Sequence, residues 1–252
     1  AVIQQTGAQD ATLVGFSMGG GEVARYMARH SGQSVAKCAL LSSILPFRLK
    51  TDDNPAGTEQ AAFDQTAEAL KTDRTHFFTG FFKTFFGEDS EERPVSAELL
   101  EWARGIALQA SLKATIECMR SFSSTDFRGD LPAFTVPTLI VHGTADKTVP
   151  IAASSRIAAQ GIAQSTLIEY DSAPHGLFAT DKERLTALVL LGIRDEHQFP
   201  LIFYRENCAD MALCEDDIDE GFIAEARSVV ATGTHLSHPR TEAAVLKALT
   251  LA

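Results

Sequence analysis

The chain has 252 residues, 45% of them hydrophobic, enough for one sizeable core and a single main α/β domain. Its formal net charge of -11 disfavours nucleic acid or an anionic membrane as partner, because an acidic surface is repelled by both. Four cysteines, Cys38, Cys118, Cys208 and Cys214, are too few for a disulfide framework and suit no familiar metal spacing, which points to a reducing cytoplasm.

In chain order, AVIQQTGAQ reads as the end of a helix whose beginning is absent, so N-terminal sequence is expected to be missing. No basic segment followed by an apolar one opens the chain, and the longest apolar stretch, Leu185 to Ile193, is far too short to span a bilayer. ATLVGF (11–16) then forms an apolar run before a glycine cluster, and GEVARYMARH repeats apolar residues at helical spacing. That is a strand, a sharp turn and a helix. VAKCALLSSI (35–44) is apolar enough for a strand covered on both faces, which implies a parallel sheet.

Strand signals disappear from about 46 to 131, where AAFDQTAEALK, HFFTGFFKTFF and SAELLEWARGIALQAS form helices, a cap inserted between strands. They resume at TLIVHG (138–143) and STLIEY (165–170), separated by a helix through SSRIAAQGI and followed by a last helix in DKERLTALVLLGI. Alternating strand and helix predicts an α/β fold with a mostly parallel sheet. The expected division is a core over 1–193 and a C-terminal extension over 194–252, which holds FPLIFYREN as a strand candidate, the acidic run EDDIDE and a short helix in TEAAVLKALTLA.

Gly15-Phe16-Ser17-Met18-Gly19 matches G-x-S-x-G between a strand and a helix, the setting of a nucleophile elbow. Strained backbone at the serine calls for small residues two before and two after, a need met by Gly15 and Gly19. At a helix N-terminus, free N–H groups favour negative charge on an attacked carbonyl, and the N–H of Met18 is the expected oxyanion donor. Asp146 follows TLIVHG by a short loop, a position open to two readings: a catalytic acid beyond the strand's C-terminal end, or a cap for the helix starting near Pro150. Asp171 is the rival carboxylate. His175, in DSAPHGLF, completes the chain order Ser, Asp, His of an α/β-hydrolase, while His142, beside Gly143, reads as structural.

In this reading His175 takes the Ser17 proton, Asp146 fixes the imidazole tautomer, and an acyl-enzyme forms and hydrolyses, with no metal or organic cofactor needed. Phe77, Phe78, Phe81, Phe82, Phe85 and Phe86 recur every four residues along one helix side. They either pack the cap onto the sheet or, through residues such as Phe81 and Phe85, line an apolar substrate pocket. EDDIDEGFI fails as a calcium loop, since Gly221 as the turn glycine puts Ile218 and Arg227 at ligand positions. Cys208, Cys214, His235 and His238 have no zinc spacing.

Taken together, VGFSMGGGEVARYMARH, LLSSILPFRLKTDDNPAG, DLPAFTVPTLIVHGTADKTVP and YDSAPHGLF resemble the non-haem, cofactor-free chloroperoxidase family, α/β-hydrolases similar to arylesterases. The resemblance covers about Thr12 to Leu191. It implies the α/β-hydrolase fold, Ser17, Asp146 and His175 as catalytic triad, and small esters, or a carboxylic acid plus hydrogen peroxide, as reactants. A homo-oligomer is left open. It also implies several strands before the elbow, with a loop supplying the second oxyanion donor, and these have no counterpart after Ala1. Since one lost donor costs about 10²–10³ in turnover, an inactive remnant or interaction module is the alternative reading. A hydrolase of lactones or carbon–carbon bonds is another.

Overall fold

The computed structural model describes residues 2–87, 95–189, 214–218, 221, 223 and 239–251. The chain divides into two compact units, Ala1–Thr186 and Ala187–Ala252.

The first unit is built on four parallel strands, β1 (Ala11–Phe16), β2 (Val35–Leu41), β3 (Thr138–Gly143) and β4 (Ser165–Tyr170), which lie side by side in chain order. The short helix α1 (Val2–Thr6) precedes β1. Helix α2 (Gly19–His30) connects β1 to β2, and α6 (Ser155–Gly161) connects β3 to β4. Both pack on one core with the strands: Val23, Ala24 and Met27 of α2 and Ala158 of α6 meet Cys38, Leu40 and Ile140 of the sheet. Burial there pushes the Cys38 thiol up to about 11, so this cysteine is an inert core residue. β3 and β4 coincide with the runs expected from sequence. β2 stops at Leu41, short of Ile44, because Ser42 turns into the left-handed region with φ 44°.

Between β2 and β3 stand the cap helices α3 (Gln60–Phe86), α4 (Ala97–Gln109) and α5 (Leu112–Ser124). α3 is two helices end to end, as the two separate helical stretches expected there. Asp73 leaves helical geometry (φ -153°, ψ 87°), and its carboxylate accepts from the N–H of His76 at 2.9 Å, capping the second half. α4 and α5 each begin on a serine whose side chain accepts from the third residue on, Ser96 from Leu99 and Ser111 from Ala114. Ser111, expected as the last residue of one helix, therefore opens another. The cap has its own apolar centre, in which Phe63, Leu70 and Phe78 meet Ile116 and Met119. The N-terminal part of the phenylalanine stripe thus packs cap against cap rather than cap against sheet.

After β4 come α7 (Leu177–Thr180) and α8 (Lys182–Val189). In the second unit the described residues include a 3-10 turn at Glu215–Asp217 and the helix α9 (Pro239–Leu251), the C-terminal helix expected from TEAAVLKALTLA. Lys247 Nζ donates to the Glu215 carbonyl at 2.9 Å. FPLIFYREN, Cys208, His235 and His238 lie outside the described residues. Among the described residues, no helix is long and apolar enough to cross a membrane.

Candidate active site

β1 delivers Ser17 into a tight bend. Its backbone sits in the left-handed region with φ 51°, a strained state for a residue with a side chain. Its N–H donates to the Leu41 carbonyl at 2.9 Å, and its carbonyl accepts from Gly20 at 3.1 Å and Ile44 at 3.2 Å, so the strain is locked in by both flanking segments. A side chain at Gly15 would meet backbone atoms of Gly19 and Gly20 at 2.7–2.9 Å, whereas one at Gly19 would meet nothing within 4 Å. The tight position after the serine is Gly20, whose Cβ would fall 2.0 Å from Ser43 Oγ. The expected need for a small residue therefore holds at Gly15 and moves from Gly19 to Gly20. Met18 is the N-cap of α2, which sets its N–H at the positive end of the helix.

Ser17 Oγ lies 2.9 Å from Nε2 of His175, and Nδ1 of that ring lies 2.6 Å from Asp146 Oδ2. Residues 158 and 29 positions apart are thus brought into one hydrogen-bonded line. The ionised carboxylate only accepts, so Nδ1 carries the hydrogen and the bare Nε2 accepts from the Ser17 hydroxyl. Burial pushes the Asp146 carboxyl up, but hydrogen bonds from His142 and His175 outweigh it and bring it down to about 2. Ser17 is half-buried, while His175 and Asp146 are buried.

The two oxygens of Asp146 are used differently. Oδ2 faces His175, and Oδ1 accepts from the N–H groups of Thr148 at 2.9 Å and Val149 at 2.7 Å. What it caps is the turn before Pro150, not the helix beyond it. The rival Asp171 is engaged elsewhere, with Thr144 Oγ1 at 3.2 Å. Arg48, buried under the same loop, donates to the Thr148 carbonyl at 3.2 Å. Burial lowers the pKa of this guanidinium, and the charge of Asp146 raises it.

The loop carrying His175 is tied to its surroundings from two sides. Ser42 Oγ donates to the His175 carbonyl at 3.2 Å, and the Gly176 N–H donates to the Phe85 carbonyl at 2.8 Å. Phe85 stands edge-on to the imidazole with centroids 4.8 Å apart, and Phe16 is tilted against it at 5.2 Å. Phe81 is one ring further away, 5.5 Å from Phe85. A cavity of about 270 Å³ opens between α2 and α5, and is lined by Met18, Arg25, Ile44, Phe122 and Phe127 rather than by Phe81 or Phe85.

His142, read from the sequence as structural, also reaches the acid of this line. It is fully buried, and its Nε2 lies 2.7 Å from the Val149 carbonyl and 3.0 Å from Asp146 Oδ2. The available signal was its place four residues before Asp146 across a tight turn.

Comparison with known proteins places the chain in a family. The family model described as alpha/beta hydrolase fold matches residues 1–182. A Synechocystis sequence of the non-haem chloroperoxidase type is 40% identical over 184 residues, 72% of this chain and 66% of that one. The bifunctional esterase/perhydrolase of Acinetobacter calcoaceticus is 36% identical over 77% of this chain and 71% of its own. The crystal structure of a bromoperoxidase from Bacillus anthracis superposes with a TM-score of 0.73 at 36% identity, covering 77% of this chain and 71% of that one. The chain spans about two thirds of the length of such relatives. It belongs to the α/β-hydrolase fold family, in the branch that holds the non-haem chloroperoxidases.

Proposed function

We propose that the protein is a serine-dependent hydrolase of small acyl esters, working through an acyl-enzyme on Ser17. The observation that carries this reading is the line from Ser17 Oγ through His175 to Asp146, at 2.9 and 2.6 Å. His175 removes the Ser17 proton as Oγ attacks the ester carbonyl, and Asp146 supports the imidazolium so formed. The oxyanion gathers at the start of α2, with the Met18 N–H as one donor. His175 then hands its proton to the departing alcohol, leaving the acyl group on Ser17. Water, deprotonated by His175, attacks the acyl carbon and releases the carboxylic acid.

Hydrogen peroxide can take the place of that water, and the product is then a peracid. The Acinetobacter esterase/perhydrolase, by its description, has both activities. Phe85 beside His175, with Phe81 behind it, offers apolar surface next to the reacting groups and supports a small acyl or aryl ester as substrate.

Rapid mixing with p-nitrophenyl acetate tests the proposal. The expected record is a burst of up to one equivalent of p-nitrophenol per chain followed by a slower steady rate. Added peroxide should divert the acetyl group to peracetic acid while the burst keeps its rate. Release no faster than with heat-denatured protein would end this reading.

A further inference from the structure

The site holds two buried histidines, and the mechanism above uses one of them. His142, at the end of β3, points its Nε2 at two oxygens, the Val149 carbonyl at 2.7 Å and Asp146 Oδ2 at 3.0 Å. Both are acceptors, since a carbonyl has no proton and Asp146 is ionised. Nε2 must therefore carry a hydrogen, shared between them. On the opposite side of the ring, Nδ1 lies 2.7 Å from Ser155 Oγ at the start of α6, a hydroxyl able to donate to it. The tautomer of His142 is thus set by its neighbours, as that of His175 is set by Asp146. The consequence for Asp146 is that Oδ2 takes hydrogen bonds from two imidazoles, while Oδ1 takes two from backbone.

We propose that His142 is a positioning residue, whose Nε2–H pins Asp146 Oδ2 toward the Nδ1–H of His175 and tempers its pull on that proton. The proposal rests on the esterase reading for its kinetic arm, though not for its structural one. Two effects follow from the geometry. A carboxylate held from β3, from its own loop and from His175 has no rotational freedom left. A carboxylate that also accepts from His142 is a weaker base toward His175 than one that does not. The charged and titratable groups facing this cluster are Arg48 and His175 around Asp146, with Glu169 paired to His142 in the β3–β4 register.

The test compares His142→Leu, which removes the donor, with His142→Gln, whose amide nitrogen reaches the Nε2 position. His142→Leu should lower kcat for p-nitrophenyl acetate about tenfold with little change in KM, far less than loss of Asp146 itself. It should also move the acid limb of the pH–rate profile up by about half a pH unit, the consequence of one hydrogen bond fewer on the charged acid. His142→Gln should return the limb to its original position and most of kcat with it. A packing role alone would leave the limb in place, and would leave Gln no better than Leu.

Imidazole nitrogen NMR on the unsubstituted protein supplies a readout independent of catalysis and of how the variants fold. His142 is expected as the Nε2–H tautomer with a bare Nδ1, beside a low-field Nδ1–H on His175. An Nδ1–H tautomer at His142, or an acid limb unmoved in a folded His142→Leu protein, would overturn the proposal. Should no esterase activity be found, the proposed function fails, and the tautomer still decides the question about His142.

Discussion

Ser17→Ala is expected to keep the fold and to lower kcat/KM for p-nitrophenyl acetate by at least about 10³-fold, leaving what binding and the helix N-terminus supply on their own. The side chain lost is one hydroxyl, half-buried, and hydrogen-bonded to His175 Nε2. The forces that hold the bend are backbone hydrogen bonds to Leu41, Gly20 and Ile44, which alanine preserves. Alanine at φ 51° is strained as serine is, so the melting temperature should move by a few degrees at most, about 1 kcal/mol in this size class. Circular dichroism and a parallel assay check both halves. A folded variant that hydrolyses the ester at the original rate would remove Ser17 from the mechanism.

Asp146→Asn should cost about 10⁴ in kcat, for a different reason. The two oxygens of Asp146 accept four hydrogen bonds, from Thr148, Val149, His142 and His175. An amide keeps one accepting oxygen. If that oxygen stays on the Thr148 and Val149 N–H groups, the NH₂ faces both imidazoles. His175 then answers by placing its hydrogen on Nε2, which leaves Ser17 Oγ without a base. His142 has no such escape, because its Nε2–H is bound to the Val149 carbonyl. Stability should therefore fall as well, by about 1–3 kcal/mol for the buried donor left unpaired.

The pH dependence carries its own sign. The carboxyl is held at about 2 in the folded protein against an ordinary 3.8, so its stabilisation is present above about pH 4 and is lost as pH falls toward 2. Denaturant melts at pH 6 and pH 2.5 should show the gap between the original protein and Asp146→Asn shrinking toward acid by about 2 kcal/mol. A gap that stays constant would mean that Asp146 is not held ionised by these partners.

The parts of the molecule that were legible in its sequence are those governed by neighbours in the chain. The elbow is a local device, in which an apolar run, a serine between glycines and a helical repeat specify strand, turn and helix without outside help. β3 and β4 fall where the apolar runs do because each is closed by turn residues on both sides. The order Ser17, Asp146, His175 pointed to a meeting that spacing alone could not, since loops of very different length bring the three together. What stayed hidden depended on who the neighbour is. Gly20 rather than Gly19 is the tight glycine because Ser43 comes in from the next strand's end. The phenylalanine stripe serves two purposes because α5 covers its N-terminal part, while Phe85 and Phe86 reach the loop of His175. Ser111 starts a helix because Ala110 is extended, a break that no strong signal in SAELLEWARGIALQAS marked. His142 read as structural from sequence, and its contact with Asp146 was hidden because it exists only once the turn folds Asp146 back over it.

The measurement that bears most directly on activation of Ser17 by His175 is covalent capture with a fluorophosphonate, read by intact mass and by peptide mapping. One adduct per chain is expected, on the peptide holding Gly15-Phe16-Ser17-Met18-Gly19, absent from Ser17→Ala and strongly slowed in His175→Ala. A folded chain that stays unmodified, or that takes the label on another side chain, would contradict the account.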